Sequence, residues 1–141
     1  MRPWSCFVVL AALGLLACNG PKDTCQGSVD SYWSLFKAHD WEGIYEMLTP
    51  EYKKKVGSAE QLASALDENW KGGKSYTMEL DNVVATASGV CIANGNMNYI
   101  WRLRGENPKE FNNQYFSWTF HLLKDGKWYI DLPGEERLSG Y

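Results

Sequence analysis

The hydrophobic pattern of this 141-residue chain changes its period at Gly72-Gly73, and that change restricts the architectures open to it. Before the two glycines, apolar residues recur every third or fourth position, as one face of a helix requires. Val29, Tyr32, Trp33 and Phe36 form the stripe of a first helix running from Cys25 to about His39. Asp40 predicts the cap of a second helix carrying Trp41, Ile44, Tyr45 and Leu48, because a short acceptor side chain satisfies the orphan N–H groups of a first turn. Thr49-Pro50 places a cap before a proline at the first helical position, so a short third helix with Tyr52 and Val56 runs to Gly57. Ser58 and Gln61 match a capping box opening a fourth, with Leu62, Ala65, Leu66 and Trp70 inward.

After Gly73 the alternation is every second residue, the mark of a strand with one buried face. Tyr76, Met78 and Leu80 alternate with Thr77, Glu79 and Asp81. Ser88-Gly89 and Asn94-Gly95 are turn pairs, which predicts a short strand over Val90 to Ala93 and a longer one with Met97, Tyr99, Trp101 and Leu103 inward. Gly105 to Asn113 reads as a loop. Phe116, Trp118, Phe120 and Leu122 then alternate with polar residues, Asp125-Gly126 predicts a tight hairpin, and Trp128, Ile130 and Leu132 return. Helices first and an antiparallel sheet second predict an α+β fold, N-terminal helices packed on a curved antiparallel sheet.

Ahead of this pattern stands MRPWSCFVVLAALGLLACNG, with Arg2 before an apolar run from Phe7 to Ala17. A basic start followed by a short apolar core is the anatomy of a secretory signal, and the run is about half the ~20 residues a spanning helix needs. Leu15-Leu16-Ala17-Cys18 resembles the bacterial lipobox. That resemblance implies cleavage before Cys18, lipid on its sulfur and residence in the cell envelope. Asn19 after the anchor implies, by the same resemblance, the outer membrane facing the periplasm. The expected organisation is a signal peptide at 1–17, a lipidated spacer at 18–24, one domain at 25–134 and a tail at 135–141.

Export changes how the cysteines read. Cys6 leaves with the signal and Cys18 takes the lipid, so Cys25 and Cys91 remain, either as one disulfide or as two separate buried thiols. An oxidising compartment favours the bond. Acidic residues outnumber basic ones, 17 to 14, and the basic ones are scattered apart from Lys53-Lys54-Lys55, so nothing points to a nucleic-acid partner. The lysine triplet reads first as a dipole-complementing helix end and second as a contact for anionic headgroups. Two histidines, His39 and His121, and no closely spaced cysteine pair give no metal-ligand pattern, and no cofactor-binding motif occurs.

Two stretches resemble the nuclear transport factor two-like superfamily, a cone of helices against a curved sheet. They are Tyr32 to Tyr45, a helix, an aspartate corner and a second helix, and Trp118 to Ile130, an aromatic strand, a Lys-Asp-Gly-Lys turn and a return strand. Small bacterial lipoproteins of unknown function, including a lumazine-binding-like group, are similar in this way. Enzymes of this superfamily place a carboxylate base after the second helix, where this chain has Thr49-Pro50-Glu51-Tyr52. Asp40 reads as a cap, and Asp81 and Asp131 as solvent-facing. His121 shares a strand face with Ser117 and Thr119, a candidate polar patch. The chain is therefore expected to bind rather than catalyse, as an envelope module engaging a protein partner or a second copy through a sheet face bearing Ile100, Arg102 and Arg104. Two alternatives remain: a carrier of a small apolar ligand in a cavity framed by Trp33, Tyr45, Trp101 and Trp118, and a hydrolase or isomerase of the same fold.

Overall fold

The computed structural model describes residues 19–131; the signal segment, Cys18, Leu132 and the tail lie outside them. Four helices precede four strands: α1 (Cys25–Lys37), α2 (Trp41–Met47), α3 (Pro50–Val56), α4 (Ala59–Trp70), β1 (Gly73–Ala85), β2 (Val90–Trp101), β3 (Lys109–Leu122) and β4 (Trp128–Asp131). The strands form one antiparallel meander in the order β1-β2-β3-β4. This is the α+β class expected from the change of period.

The helix boundaries follow their capping residues. Asp40 accepts a hydrogen bond from the Gly43 N–H at 3.0 Å, and Ser58 accepts one from the Gln61 N–H at 3.2 Å. Thr24 does the same for α1 through the Gly27 N–H. Thr49 behaves differently from expectation. Its side chain caps nothing, and its hydroxyl donates to Asp131 at 2.9 Å. The proline at the first position of α3 removes one orphan N–H of the first turn, and the Thr49 hydroxyl bonds across to β4 instead of capping the helix.

The sheet departs from the sequence reading in its middle. Asn94-Gly95 is not a turn: β2 runs unbroken through both residues, pairing Gly95 with Leu80 on one side and Phe116 on the other. A Cβ at Gly95 would lie 2.2 Å from the Glu79 carbonyl oxygen, so the glycine serves a close approach of β1. The expected loop of Gly105 to Asn113 is also shorter, because β3 already begins at Lys109. Asn113 sits in β3 with φ 55°, at a register shift where two β3 residues oppose one in β2. Ser75, with φ 55°, occupies the corresponding place in β1. These bulges bend the same end of the sheet, as an extra left-handed residue in one strand does.

The core lies between α1, α2 and α4 and the inward side of the sheet. Val29, Ile44, Leu48, Leu62, Phe120 and Ile130 are fully or almost fully buried, and Tyr32 packs edge-on against Trp118 at 4.7 Å between ring centres. Cys25 in the first turn of α1 and Cys91 near the start of β2 form a disulfide, with Cα atoms 6.5 Å apart. The bond ties the helical half to the sheet across 66 residues. On the chain-entropy account, closing a loop of that length stabilises the fold by about 4 kcal/mol. Replacing both cysteines by alanine is expected to lower the unfolding free energy by about that amount, measured by urea unfolding. A variant as stable as the reduced and oxidised parent alike would show the crosslink to be dispensable.

Candidate functional site

The inward face carries two aromatic groups. Nearest the disulfide, Tyr32, Trp33 and Phe116 each contact Trp118, with Trp33 and Trp118 centred 6.3 Å apart and Phe116 stacked on Trp118 at 4.2 Å. At the bent end, Phe36, Trp70, Tyr76, Tyr99 and Phe111 form a chain of ring contacts between 4.9 and 5.4 Å. Burial alone pushes the Tyr32 phenol far above its usual range, so it stays neutral.

Of the four residues expected to frame a cavity, the structure packs Trp33 directly on Trp118. Tyr45 lies under the Lys53 ammonium, 5.4 Å from its ring centre, on the side of α2 that meets α3. Trp101 lies against Gly72, where a Cβ would come within 2.6 Å of its indole. The described ring contacts join only Trp33 and Trp118 of this set. Ile100 is half-buried in β2, while Arg102 and Arg104 are exposed beyond the end of that strand, in the connection to β3. The Arg102 N–H is bonded to the Gly72 carbonyl at 2.7 Å, so the strand face expected to carry all three stops at Trp101.

Two polar constellations emerge. At the rim of the bent end, His39 Nε2 meets the Tyr76 hydroxyl at 2.8 Å, and the imidazole stacks on Trp41 at 4.7 Å. His39 holds a left-handed backbone, φ 53°, at the corner between α1 and α2. The bulge at Ser75 turns Tyr76 toward it. Burial lowers the His39 pKa, partly offset by the Asp67 carboxylate, and burial raises that of Tyr76, with Tyr99 adding to it. Both shifts favour a neutral pair in which the phenol donates and Nε2 accepts. Beside it, the Trp41 Nε1–H is buried with no hydrogen-bond partner among the described residues. A buried donor left unpaired is uncommon and costs free energy.

The second constellation corrects the reading of Asp131 as solvent-facing. Its Oδ2 lies 2.5 Å from His121 Nε2, and its Oδ1 accepts the Thr49 hydroxyl, so it links β3, β4 and the start of α3. Next to it, the Tyr129 hydroxyl donates to Asp125 at 2.5 Å. Burial first, then that bond, raises the Tyr129 pKa to about 12, and the bond lowers that of Asp125. His121 does lie on one face with Thr119 and Ser117, as its strand position predicts. Among the described residues no group of three His, Cys, Asp or Glu side chains could hold a metal ion, and no helix is long and apolar enough to cross a membrane.

No protein-family model matches the chain, and no curated protein matches it. Among solved structures, the chain is similar to the solution structure of a SEC-C motif containing protein from Rhodopseudomonas palustris. The TM-score is 0.54 at 12% identity, over 78% of this chain and 77% of that one. Likeness at that identity is a likeness of fold.

Two outcomes follow from the constellations. His39 contributes stability that is full above its ordinary pKa near 6.5 and is lost as pH falls through its lowered value, because the unfolded chain takes the proton first. His39→Asn, which tolerates the left-handed backbone, is expected to flatten the fall in thermal midpoint between neutral pH and pH ~5. Calorimetry across that range tests it; an unchanged slope would place the acid sensitivity elsewhere. Asp131→Ala removes the acceptor of the buried Thr49 hydroxyl and is expected to cost about 1–3 kcal/mol in urea unfolding.

Proposed function

We propose that this chain is a lipid-anchored protein of the bacterial envelope whose domain, a cone of the nuclear transport factor two-like type, binds a partner without turning it over. The observation that carries the binding reading is the filling of the inward face by the protein's own rings. With Trp33 and Trp118 centred 6.3 Å apart and Tyr32 edge-on to Trp118 at 4.7 Å, no ligand ring fits between Trp33 and Trp118. The partner, a protein or a second copy, then meets an outer surface. The exposed end of the β2–β3 connection, with Arg102 and Arg104 beside Ile100, is the patch proposed for it.

Anchoring is supported by the Leu-Leu-Ala-Cys order and by the disulfide, a bond that persists in oxidising compartments and is rare in reducing ones. By resemblance, Asn19 directs the protein to the outer membrane, facing the periplasm. A second reading, a small ligand entering at the bent end, is favoured by the unpaired Trp41 Nε1–H near the neutral His39–Tyr76 pair. Such a ligand would be apolar with one acceptor atom, and saturable quenching of tryptophan fluorescence that Tyr76→Phe weakens would select this reading.

The anchor has a direct test. Cys18→Ser in the full chain is expected to move the protein from the membrane fraction to the soluble envelope fraction, or to leave uncut precursor. Membrane association and processing that survive the substitution would remove the lipid anchor from this account.

A further inference from the structure

Of the expected spacer at 18–24, the chain from Gly20 onward is built into the fold. The Gly20 N–H donates to Ser31 Oγ at 2.7 Å, and the Lys22 N–H donates to Ser28 Oγ at 2.8 Å. The Lys22 carbonyl accepts the Trp128 N–H at 2.8 Å, an antiparallel bridge to β4. Ser28 in turn donates to the Trp128 carbonyl at 2.9 Å. Ser28 and Ser31 are buried polar residues one turn apart on α1, and the incoming chain is their partner. Gly27 completes the track, since a Cβ there would lie 3.0 Å from the Lys22 side chain.

Cys18 precedes Gly20 by two residues, and two extended residues reach about 7 Å. The first fixed point of the fold is therefore next to the anchor position. Lys22 and Leu48 both pair with β4, at Trp128 and Ile130, so they run along the same edge of the sheet. Leu48 leads within two residues into α3, whose last turn carries Lys53, Lys54 and Lys55. Lys53 pairs with Glu46 at 3.7 Å, and Thr49 at the start of α3 is bonded to Asp131 of β4, which places this basic turn near the strand. Lys54 and Lys55 are exposed.

We infer that the bilayer surface is the partner of this β4 side of the fold: the domain is seated on the headgroups with Lys54 and Lys55 against them, and does not swing from a tether. The inference rests on the lipidation of Cys18 proposed above. A leash of ~7 Å keeps Gly20 within a Debye length, about 10 Å at moderate salt, of the headgroups, and Lys54 and Lys55, on the same side of the sheet, are the cations placed to approach anionic lipid. The far end of the sheet is held away. Lys109 and Lys74 lie at the opposite end, and Lys109 is ten residues along the bulged β3 from the β4 partner Thr119, a span of at most about 33 Å.

The test is lysine acetylation read by mass spectrometry on the lipidated full chain in vesicles of phosphatidylethanolamine with some phosphatidylglycerol. The soluble Cys18→Ser protein is the reference. Lys54 and Lys55 are expected to react several-fold more slowly in vesicles while Lys74 and Lys109 keep their rates. A flexible Gly-Ser insertion of about ten residues between Cys18 and Asn19 leaves the fold untouched and is expected to restore Lys54 and Lys55 to the reference rate. Lipid present on Cys18 with no protection, or with protection at all four lysines, overturns the seating and leaves the anchor standing. Protection that survives the insertion also overturns it, because charge alone would then hold the lysines. No lipid mass on Cys18 removes the anchor reading and the seating together.

Discussion

Everything in this fold hangs on α1 being held inside the curve of the sheet. The Cys25–Cys91 bond fixes its first turn to β2, and Tyr32 against Trp118 fixes its second to β3. Ser28 then reaches β4. A disulfide chiefly raises the free energy of the unfolded chain, while ring packing and the serine bond act in the folded one, so the three attachments stabilise by different routes. Of the remaining helices α2 packs on α1, α4 on α2 and α3 on α4, so they form a second tier with few sheet contacts of their own. In α3 no residue is fully buried, and its lysines cover Tyr45 and Tyr52 instead.

The short strand β4 shows how the ends of the chain cooperate. Four residues paired on one side make a weak edge, and single residues from two distant segments, Lys22 and Leu48, close the other side. β4 therefore has partners along both edges, whereas among the described residues β1 pairs only with β2. An open edge invites another strand, and β1 carries Lys74, Glu79 and Asp81, charges that discourage pairing.

Local signals were legible in the sequence wherever a residue acts on its near neighbours. Asp40 and Ser58 cap as their spacing implies, Asp125-Gly126 turns, and the alternation of Phe116, Trp118 and Phe120 gives three buried rings. The cysteine pair was legible because only two candidates remained once export was inferred. What escaped were residues whose partner lies far along the chain. Gly95 carries the same letters as a turn, and only the crossing of β1 at Glu79 explains it. Thr49 and Asp131 look like a cap and a surface carboxylate until α3 meets β4, 82 residues later. Ser28 and Ser31 resemble ordinary polar positions in a helix, and their role depends on a segment that composition marks as linker.

The bond between Ser28 and the Trp128 carbonyl spans 100 residues, nearly the full described length. The strand that receives the entering segment is the last of the described strands in chain order, so the edge on which Lys22 and Leu48 close is incomplete until residue 131 is available. Assembly is thus governed by long loop closures, which slow folding even when the final state is stable. Until Trp128 has been made, the segment at Lys22 has no strand to bridge to, so the first described residues of the fold are among the last to find their partner.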